Sequence, residues 1–482
     1  MADAEARLPR DLAGMARTSI DLDGLAIEDG LHVAADLAAA WHDRPMADVA
    51  ARLAEVRSGQ PRLLLGRALG KVALLVEALE RAQPGLTLYP AGGLRRFETT
   101  VGDLLVLAAG DGAPAAVAAW ADSLPAADVR WRSRDAVTFV WDGEEITLRA
   151  VPGAALGAAL VHYGGSREHV AQLAARARAR GLRLTPTGLV DGNGRVRPAP
   201  AEADLYAALD LPWIPPERRH GLDEIALAER GALPPAVTVA DIQGDLHTHT
   251  LWSDGRDTTE VVIRSAQALG YRYLAITDHS PTSKASRTLS IEGIAQQARE
   301  IEALRPAYPE LTILHGCEVD ILPDGSLDLP DSVMAGLDIV LASLHDAAGQ
   351  PPDRLLARYL GAMAHPLISV ITHPANRTPG RSNGYDLDWD RFFTAARDTG
   401  TALEVDGAPG HLDLDGHLAR QAVEKGATLV IDSDGHFAER FGRQMRMGVG
   451  TAARGGVEAR HVLNTRSLDA VRAFIADKRR RG

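Results

Sequence analysis

Asp245-Leu246-His247-Thr248-His249 opens a series of imidazole and carboxylate side chains able to bind metal ions and hydrolyse an ester. Asp254 follows the His-x-His pair. Then come His279 in Thr277-Asp278-His279-Ser280 and Glu318 in Gly316-Cys317-Glu318-Val319-Asp320. His345, His373 before Pro374, and the pair Asp434 and His436 in Ser433-Asp434-Gly435-His436 complete the set. Six histidines and three carboxylates are nitrogen and oxygen donors suited to Zn, Mn or Fe. Singly, each piece reads blandly: a His before Pro is an ordinary turn or core residue, and Asp-Gly is an ordinary turn. Their placement argues against coincidence, because most of them follow a short apolar run.

Those runs are 273–277, 311–314 (leading towards Glu318), 339–342, 368–372 and 428–431. They are short and β-rich, and the stretches between them can be helical. The alternation reads as βα units around a parallel barrel, where side chains at the C-terminal strand ends converge from distant parts of the chain. At 482 residues there is room for two or three domains. A net charge of −12 disfavours non-specific nucleic-acid binding over the whole surface, although bound cations would reverse the sign locally. The single cysteine, Cys317, excludes an intramolecular disulfide and reads as a small buried residue. No basic-then-apolar leader and no run of ~18 apolar residues is found, so a soluble, cytoplasmic protein without a membrane partner is expected. The basic run Lys478-Arg479-Arg480-Arg481 reads as a solvated helix end.

Residues 1–60 are Ala-rich and read as helical. A second unit, 61–200, alternates a helix over 68–82, strands at 104–108, 136–141 and 145–151, and a helix over 167–180, an α+β pattern. A Pro-rich connector, 201–238, leads to the metal unit at 239–482.

The ligand series resembles the PHP domain of the polymerase and histidinol phosphatase superfamily, and all nine of its positions can be matched. Gly92-Gly93-Leu94-Arg95-Arg96 with Val101-Gly102-Asp103 resembles the palm motif of family X DNA polymerases. Ile146-Thr147-Leu148-Arg149-Ala150-Val151-Pro152 resembles their third catalytic strand, and Leu211-Pro212-Trp213-Ile214-Pro215-Pro216 their connector. From about Pro61 onwards the chain is similar to bacterial family X polymerases fused to a PHP domain. The resemblance implies a multidomain α/β chain: an N-terminal α+β palm and thumb remnant and a C-terminal distorted (β/α)7 PHP barrel.

It also implies three divalent ions, Zn, Mn or Fe. His247, His249, Glu318 and Asp434 would surround one. Asp254, His279 and His436 would hold the second, and Glu318, His345 and His373 the third. Such ions acidify water and polarise phosphate oxygens, so the reaction is phosphoester hydrolysis. Arg377 and Arg381, close after His373, are the candidate phosphate-binding catalytic residues, ahead of Lys284 and Arg287. Asp278 and Asp432 could orient ligand histidines or cap loops. The remaining histidines read as ordinary, including His411 in the metal-like segment 411–417, taken as a turn and helix start.

Departures from the family pattern carry equal weight. Its second and third palm carboxylates are here Leu105 and Thr147, leaving Asp103 alone. One carboxylate cannot hold two Mg²⁺ ions, so the polymerase unit is expected to be inactive, with Arg95, Arg96 and Asp103 at most contacting nucleotide or DNA. Residues 1–60 also lack the hairpin glycines of a helix-hairpin-helix. The expected function is a DNA 3′→5′ exonuclease or end-processing nuclease. The alternatives are a small-molecule phosphatase of the histidinol-phosphatase type, an active proofreading polymerase, and a non-enzymatic scaffold. Substrates are DNA or a small phosphate ester, and the oligomeric state is left open.

Overall fold

The computed structural model describes residues 62–83, 85–102, 104–283 and 287–481. The helical reading of 1–60, Asp103 and Lys284 lie outside the described residues. The chain divides into two compact units, Met1–Leu233 and Pro234–Gly482.

In the first unit, helix α1 (Leu65–Ala82) buries Leu65, Ala68, Val72, Leu75 and Leu79, one apolar face at helical spacing. Strands β1 (Thr87–Pro90), β2 (Leu104–Ala109), β3 (Val129–Arg132), β4 (Ala136–Trp141) and β5 (Glu144–Val151) form a mixed sheet in the order β1-β2-β5-β4-β3. β2 and β5 are parallel. Helix α2 (Ala113–Ser123) therefore lies in the crossover that their parallel pairing requires. β4 and β5 are joined through Asp142 and Gly143, both at positive φ (47° and 79°), the conformation a tight hairpin turn demands.

Helices α3 (Leu156–Gly164) and α4 (Arg167–Ala179) follow, then a small antiparallel sheet of β6 (Arg183–Thr185), β7 (Gly188–Val190) and β8 (Val196–Arg197). The Pro-rich segment read as a connector is largely packed into this unit. Leu211, Ile214, and Ile225 and Ala228 of the short helix α5 (Glu224–Glu229) are buried in one cluster with Leu173, Leu189 and Tyr206. Its prolines hide an apolar pattern that secures it to the helices.

The second unit carries seven parallel strands in sequential order: β9 (Gly244–Asp245), β10 (Tyr273–Ile276), β11 (Thr312–Asp320), β12 (Ile339–Ser343), β13 (Val370–Ile371), β14 (Ala402–Asp406) and β15 (Leu429–Asp432). Thr248, just past β9, bridges in parallel to Gly435, just past β15, so the sheet is nearly closed into a (β/α)7 barrel. Helices such as α6 (Thr259–Ala268), α7 (Ile291–Leu304) and α8 (Pro352–Ala364) connect the strands, with α9 (Trp389–Thr399) before β14.

Alternation along the strands sorts the side chains. Leu274, Ile313, Val340, Ile371, Leu403 and Ile431 pack outward against the helices. Leu246, Ala275, Leu314, Leu341, Val370, Ala402 and Val430 form a separate interior cluster. The C-terminal helix α10 (Leu468–Arg480) adds Val471 and Ile475 to it. On the interior parity the residue type changes along each strand. Leu314 gives way to Glu318 and Asp320, and Ala402 to Glu404 and Asp406, so the polar groups gather at the C-terminal ends.

The terminal basic run is not a freely solvated end. Lys478 Nζ donates to the carbonyls of Met363 and Thr399, Arg479 to Leu337 and Arg481 to Asp398. Most of these carbonyls close α8 and α9, where the helix macrodipole favours positive charge.

Candidate metal centre

Glu318 lies within β11 rather than beyond it, because the strand runs on to Asp320. Its side chain is fully buried, and imidazoles surround it. Oε2 is 2.8 Å from His279 Nδ1, 3.4 Å from His247 Nε2 and 3.7 Å from His249 Nε2. Oε1 is 3.0 Å from His373 Nε2 and 3.7 Å from His345 Nε2, and accepts from Thr372 Oγ1 at 3.0 Å. Asp434 Oδ1 lies 3.1 Å from His249 Nε2 and 3.6 Å from His247 Nε2. Asp254 Oδ1 lies 3.1 Å from His436 Nε2 and 3.4 Å from His279 Nε2.

All nine side chains singled out from the sequence therefore meet at one end of the barrel. Three groups have donor atoms close enough to share an ion: His249, Asp254, His279 and His436; His247, His249 and Glu318; and His279, Glu318 and His345. The division differs in detail from the expected one, because His249 also joins the Asp254 group and His279 joins Glu318 and His345.

The donor set fits cations. Glu318 Oε2, Asp254 Oδ1 and His279 Nδ1 are buried, and none makes a well-aligned hydrogen bond despite the imidazole and carboxylate atoms beside it, a state that costs free energy unless something else satisfies them. The ring nitrogens His247 Nε2 and His249 Nε2 approach to 3.0 Å. Two carboxylates outside the nine fix ring orientation. His247 Nδ1 is 2.6 Å from Glu404 Oε1, and His345 Nδ1 is 2.6 Å from Asp320 Oδ1. With the proton held on Nδ1, each ring presents the Nε2 lone pair to the centre. Glu404 Oε2 also accepts the backbone N–H of His373 at 2.7 Å, so one carboxylate positions two ligand residues.

The charges are strongly interdependent. Burial opposes a charge on His247, yet Glu404, Glu318 and Asp434 hold its pKa well above the ordinary imidazole value. Burial likewise opposes charge on His373 and His436, but Glu318 lifts the first to about 9 and Asp434, with Asp254, lifts the second to about 9. Burial and the charges of His436 and His279 push His249 down to about 4. Against the cost of burial, His279, His247 and His345 hold Glu318 well below the usual carboxylate range. These carboxylates attract positive charge that either protons or metal ions can supply.

The backbone is drawn into the site. His373 and Asp434 have φ of 25° and 46°, positive values that cost a residue with a side chain about 1–3 kcal/mol. Gly435, between Asp434 and His436, runs so close to Phe441 that a Cβ there would come within 2.1 Å of the ring.

Other expected residues lie elsewhere or act differently. Arg377 is buried and points Nη1 to the Leu412 carbonyl and, at 3.3 Å, to Asp415, so it braces the 412–415 loop. Arg381 is exposed. Asp278 accepts from Thr250, Ser253 and Gln297 and shapes the 250–253 turn. Asp432 accepts from Leu246 N. The Cys317 thiol is buried and donates to the Asp278 carbonyl.

Arg95 and Arg96, expected to reach nucleotide or DNA, are held inside the first unit. Arg95 and the fully buried Arg219 share Glu202 at 2.8 and 2.6 Å. Arg96 pairs with Glu98 at 2.7 Å and donates to the Gly164 carbonyl. The two positions expected to correspond to palm carboxylates lie opposite one another: Leu105 and Thr147 are direct partners across β2 and β5. Leu105 is buried in an apolar cluster with Leu107, Ala159 and Tyr163, and the Thr147 hydroxyl bonds that of Thr138 at 2.9 Å.

The sequence reading missed Glu404, Asp320 and Asp406. Each is an acid at an interior position of a barrel strand, a signal visible in Ala402-Leu403-Glu404-Val405-Asp406. It also treated His411 as ordinary. His411 stacks on His373, with centroids 5.2 Å apart and planes at 23°.

Two family models match the chain: one described as DNA polymerase beta thumb over residues 159–220, and one described as PHP domain over residues 245–405. The chain is 36% identical over 428 residues to the DNA polymerase/3′-5′ exonuclease PolX of Bacillus subtilis (strain 168). That match covers 88% of this chain and 74% of that protein. It is 28% identical over 249 residues to a probable phosphatase of Thermoanaerobacter sp. (strain X514), covering 49% of this chain and 96% of that one. A probable phosphatase of Shewanella sp. (strain ANA-3) is 30% identical over 211 residues, covering 41% of this chain and 78% of its own.

Proposed function

The chain belongs to the bacterial PolX family, in which a polymerase-like unit is joined to a PHP domain, and on that premise we propose that it is a 3′→5′ DNA exonuclease or end-processing nuclease with a silent polymerase unit. It is a metal-dependent phosphoric ester hydrolase. The observation that carries the reading is the set of five imidazoles facing the two oxygens of Glu318.

Divalent ions held by the nine side chains would supply Lewis-acid polarisation of a phosphate and acidification of water. The chain's own residues do the rest. Glu318 offers one oxygen to each side of the site, which suits a carboxylate shared by two cations. Glu404 and Asp320 keep the His247 and His345 rings turned inward. The barrel walls exclude bulk solvent from the buried donors, which strengthens every charge interaction there. Arg381, exposed on the loop after His373, is the candidate phosphate contact. Arg377 acts by bracing the 412–415 loop.

Two features of the first unit support DNA as the substrate and hydrolysis as the only chemistry. Its cleft of about 1210 Å³ is lined by the exposed Arg134, Arg178 and Arg183, and in a chain of net charge −12 that is a local concentration of positive charge. Against polymerisation, the second and third palm positions are a buried Leu105 and a hydrogen-bonded Thr147, neither of which offers the carboxylate charge that a two-Mg²⁺ palm site needs.

A second reading, a phosphatase of small esters, is favoured by the likeness of the barrel unit alone to probable phosphatases. The test is hydrolysis of a 5′-labelled single-stranded oligonucleotide with Mn²⁺, wild type beside His247→Ala, with histidinol phosphate in parallel. Stepwise shortening that the variant loses supports the nuclease. Phosphate release from the small ester with intact DNA replaces it with the phosphatase.

A further inference from the structure

A fourth group of donors adjoins the centre and uses two residues outside the nine. Asp406, His411 and Asp434 bring one donor atom each within 4.8 Å of one another. Asp406 is fully buried at the end of β14. Its Oδ1 accepts the Ala408 N–H, while its Oδ2 has no hydrogen-bond partner. His411 Nδ1 is likewise buried and without a partner. Two carboxylates this close in a low-dielectric interior repel each other unless a proton or a cation lies between them. Two unsatisfied buried polar atoms in one cluster of three residues are costly for a purely structural arrangement.

The neighbourhood holds His411 in place. Its ring lies on His373. The next residues are anchored from below, with Asp413 accepting the Ala375 and Arg377 N–H groups and the Leu412 carbonyl accepting from Arg377. The rest of the metal-like segment is occupied otherwise: Asp415 caps the helix Gly416–Glu424, and His417 pairs with Gln421. Of that segment only His411 faces the centre.

We propose that Asp406, His411 and Asp434 form a further divalent-cation position, joined to the main cluster through Asp434. One imidazole and two carboxylates suit Mn²⁺ or Zn²⁺. The position goes beyond the nuclease reading and does not rest on it, because it concerns ion binding and not the substrate.

The full-length protein is stripped with chelator, equilibrated by dialysis against Mn²⁺ without substrate, and its bound metal counted per chain. Wild type is compared with Asp406→Asn and His411→Gln, and circular dichroism checks that each is folded. Asn keeps the volume of Asp and can still accept the Ala408 N–H. If one variant fails to fold, the other gives the answer. Each folded variant is expected to bind one equivalent fewer than wild type. A folded variant that binds as many as wild type, or that loses the whole set, overturns the proposal. Failure of the protein to degrade DNA would leave this count unaffected and would bear only on the substrate.

Discussion

The barrel and the palm-like sheet both use strand register to bring distant residues together, but they fill the meeting point differently. In the barrel, interior positions at the strand ends are Glu318, Asp320, Glu404 and Asp406, and donors are left over for an outside partner. In the sheet, the paired positions are Leu105 and Thr147, one packed against apolar neighbours and the other satisfied by Thr138. A built site announces itself by polar atoms that the fold does not satisfy. The sheet pair is closed by packing and an internal hydrogen bond and leaves no such atom. The sheet register still sets Leu105 and Thr147 directly opposite each other, with no carboxylate at either position.

The largest effect that could break this contrast is at Glu318. Glu318→Ala removes the group shared by five imidazoles. A loss of several kcal/mol of charge stabilisation corresponds to a drop on the order of 10³-fold in hydrolysis. The check is initial rate on the oligonucleotide beside a metal count. Activity retained within a factor of ten would place the chemistry elsewhere. Glu404→Gln tests the positioning shell and is expected to cost about 10–100-fold in metal affinity or activity. A titration of apo protein with Mn²⁺ distinguishes a weakened site from a misfolded one.

On the sheet, Leu105→Asp is expected to destabilise the first unit by about 3 kcal/mol, because it places an uncompensated charge in an apolar cluster. Denaturant unfolding measures it, and a neutral result would mean that the position is open to solvent or ions. The smallest effect is a pH slope. His169 is buried between Glu224 (2.6 Å) and the Tyr206 hydroxyl (2.8 Å), and burial holds its pKa below the ordinary value. The unfolded imidazole takes up a proton below pH ~6.5 while the folded one does not, so stability falls as pH drops through that value, by at most ~1.4 kcal/mol per unit. His169→Gln is expected to flatten the slope of thermal midpoint against pH just below 6.5.

Much of the barrel was legible because its strands are apolar runs that end in a ligand: 273–277 before His279, 339–342 before His345, 428–431 before Asp434. The sixth strand, Ala402–Asp406, was not singled out. Glu404 and Asp406 interrupt its apolar pattern, and they do so because they serve the site. His411 was unreadable for a different reason. Its role depends on a loop that turns it onto His373, and no local spacing encodes that. Arg95 and Arg96 carried a family-like motif but no sign of Glu202 or Glu98, whose pairing with them is a tertiary fact. The Pro-rich segment misled because proline counts were weighed above Leu211 and Ile214, which pack.

The account stands on hydrolysis in the barrel with no synthesis on the sheet. The most direct measurement gives the full-length protein a 5′-labelled primer annealed to a longer template, with Mn²⁺ and all four deoxynucleoside triphosphates. Products shorter than the primer, with none longer, are predicted. A band one or more nucleotides longer would contradict it.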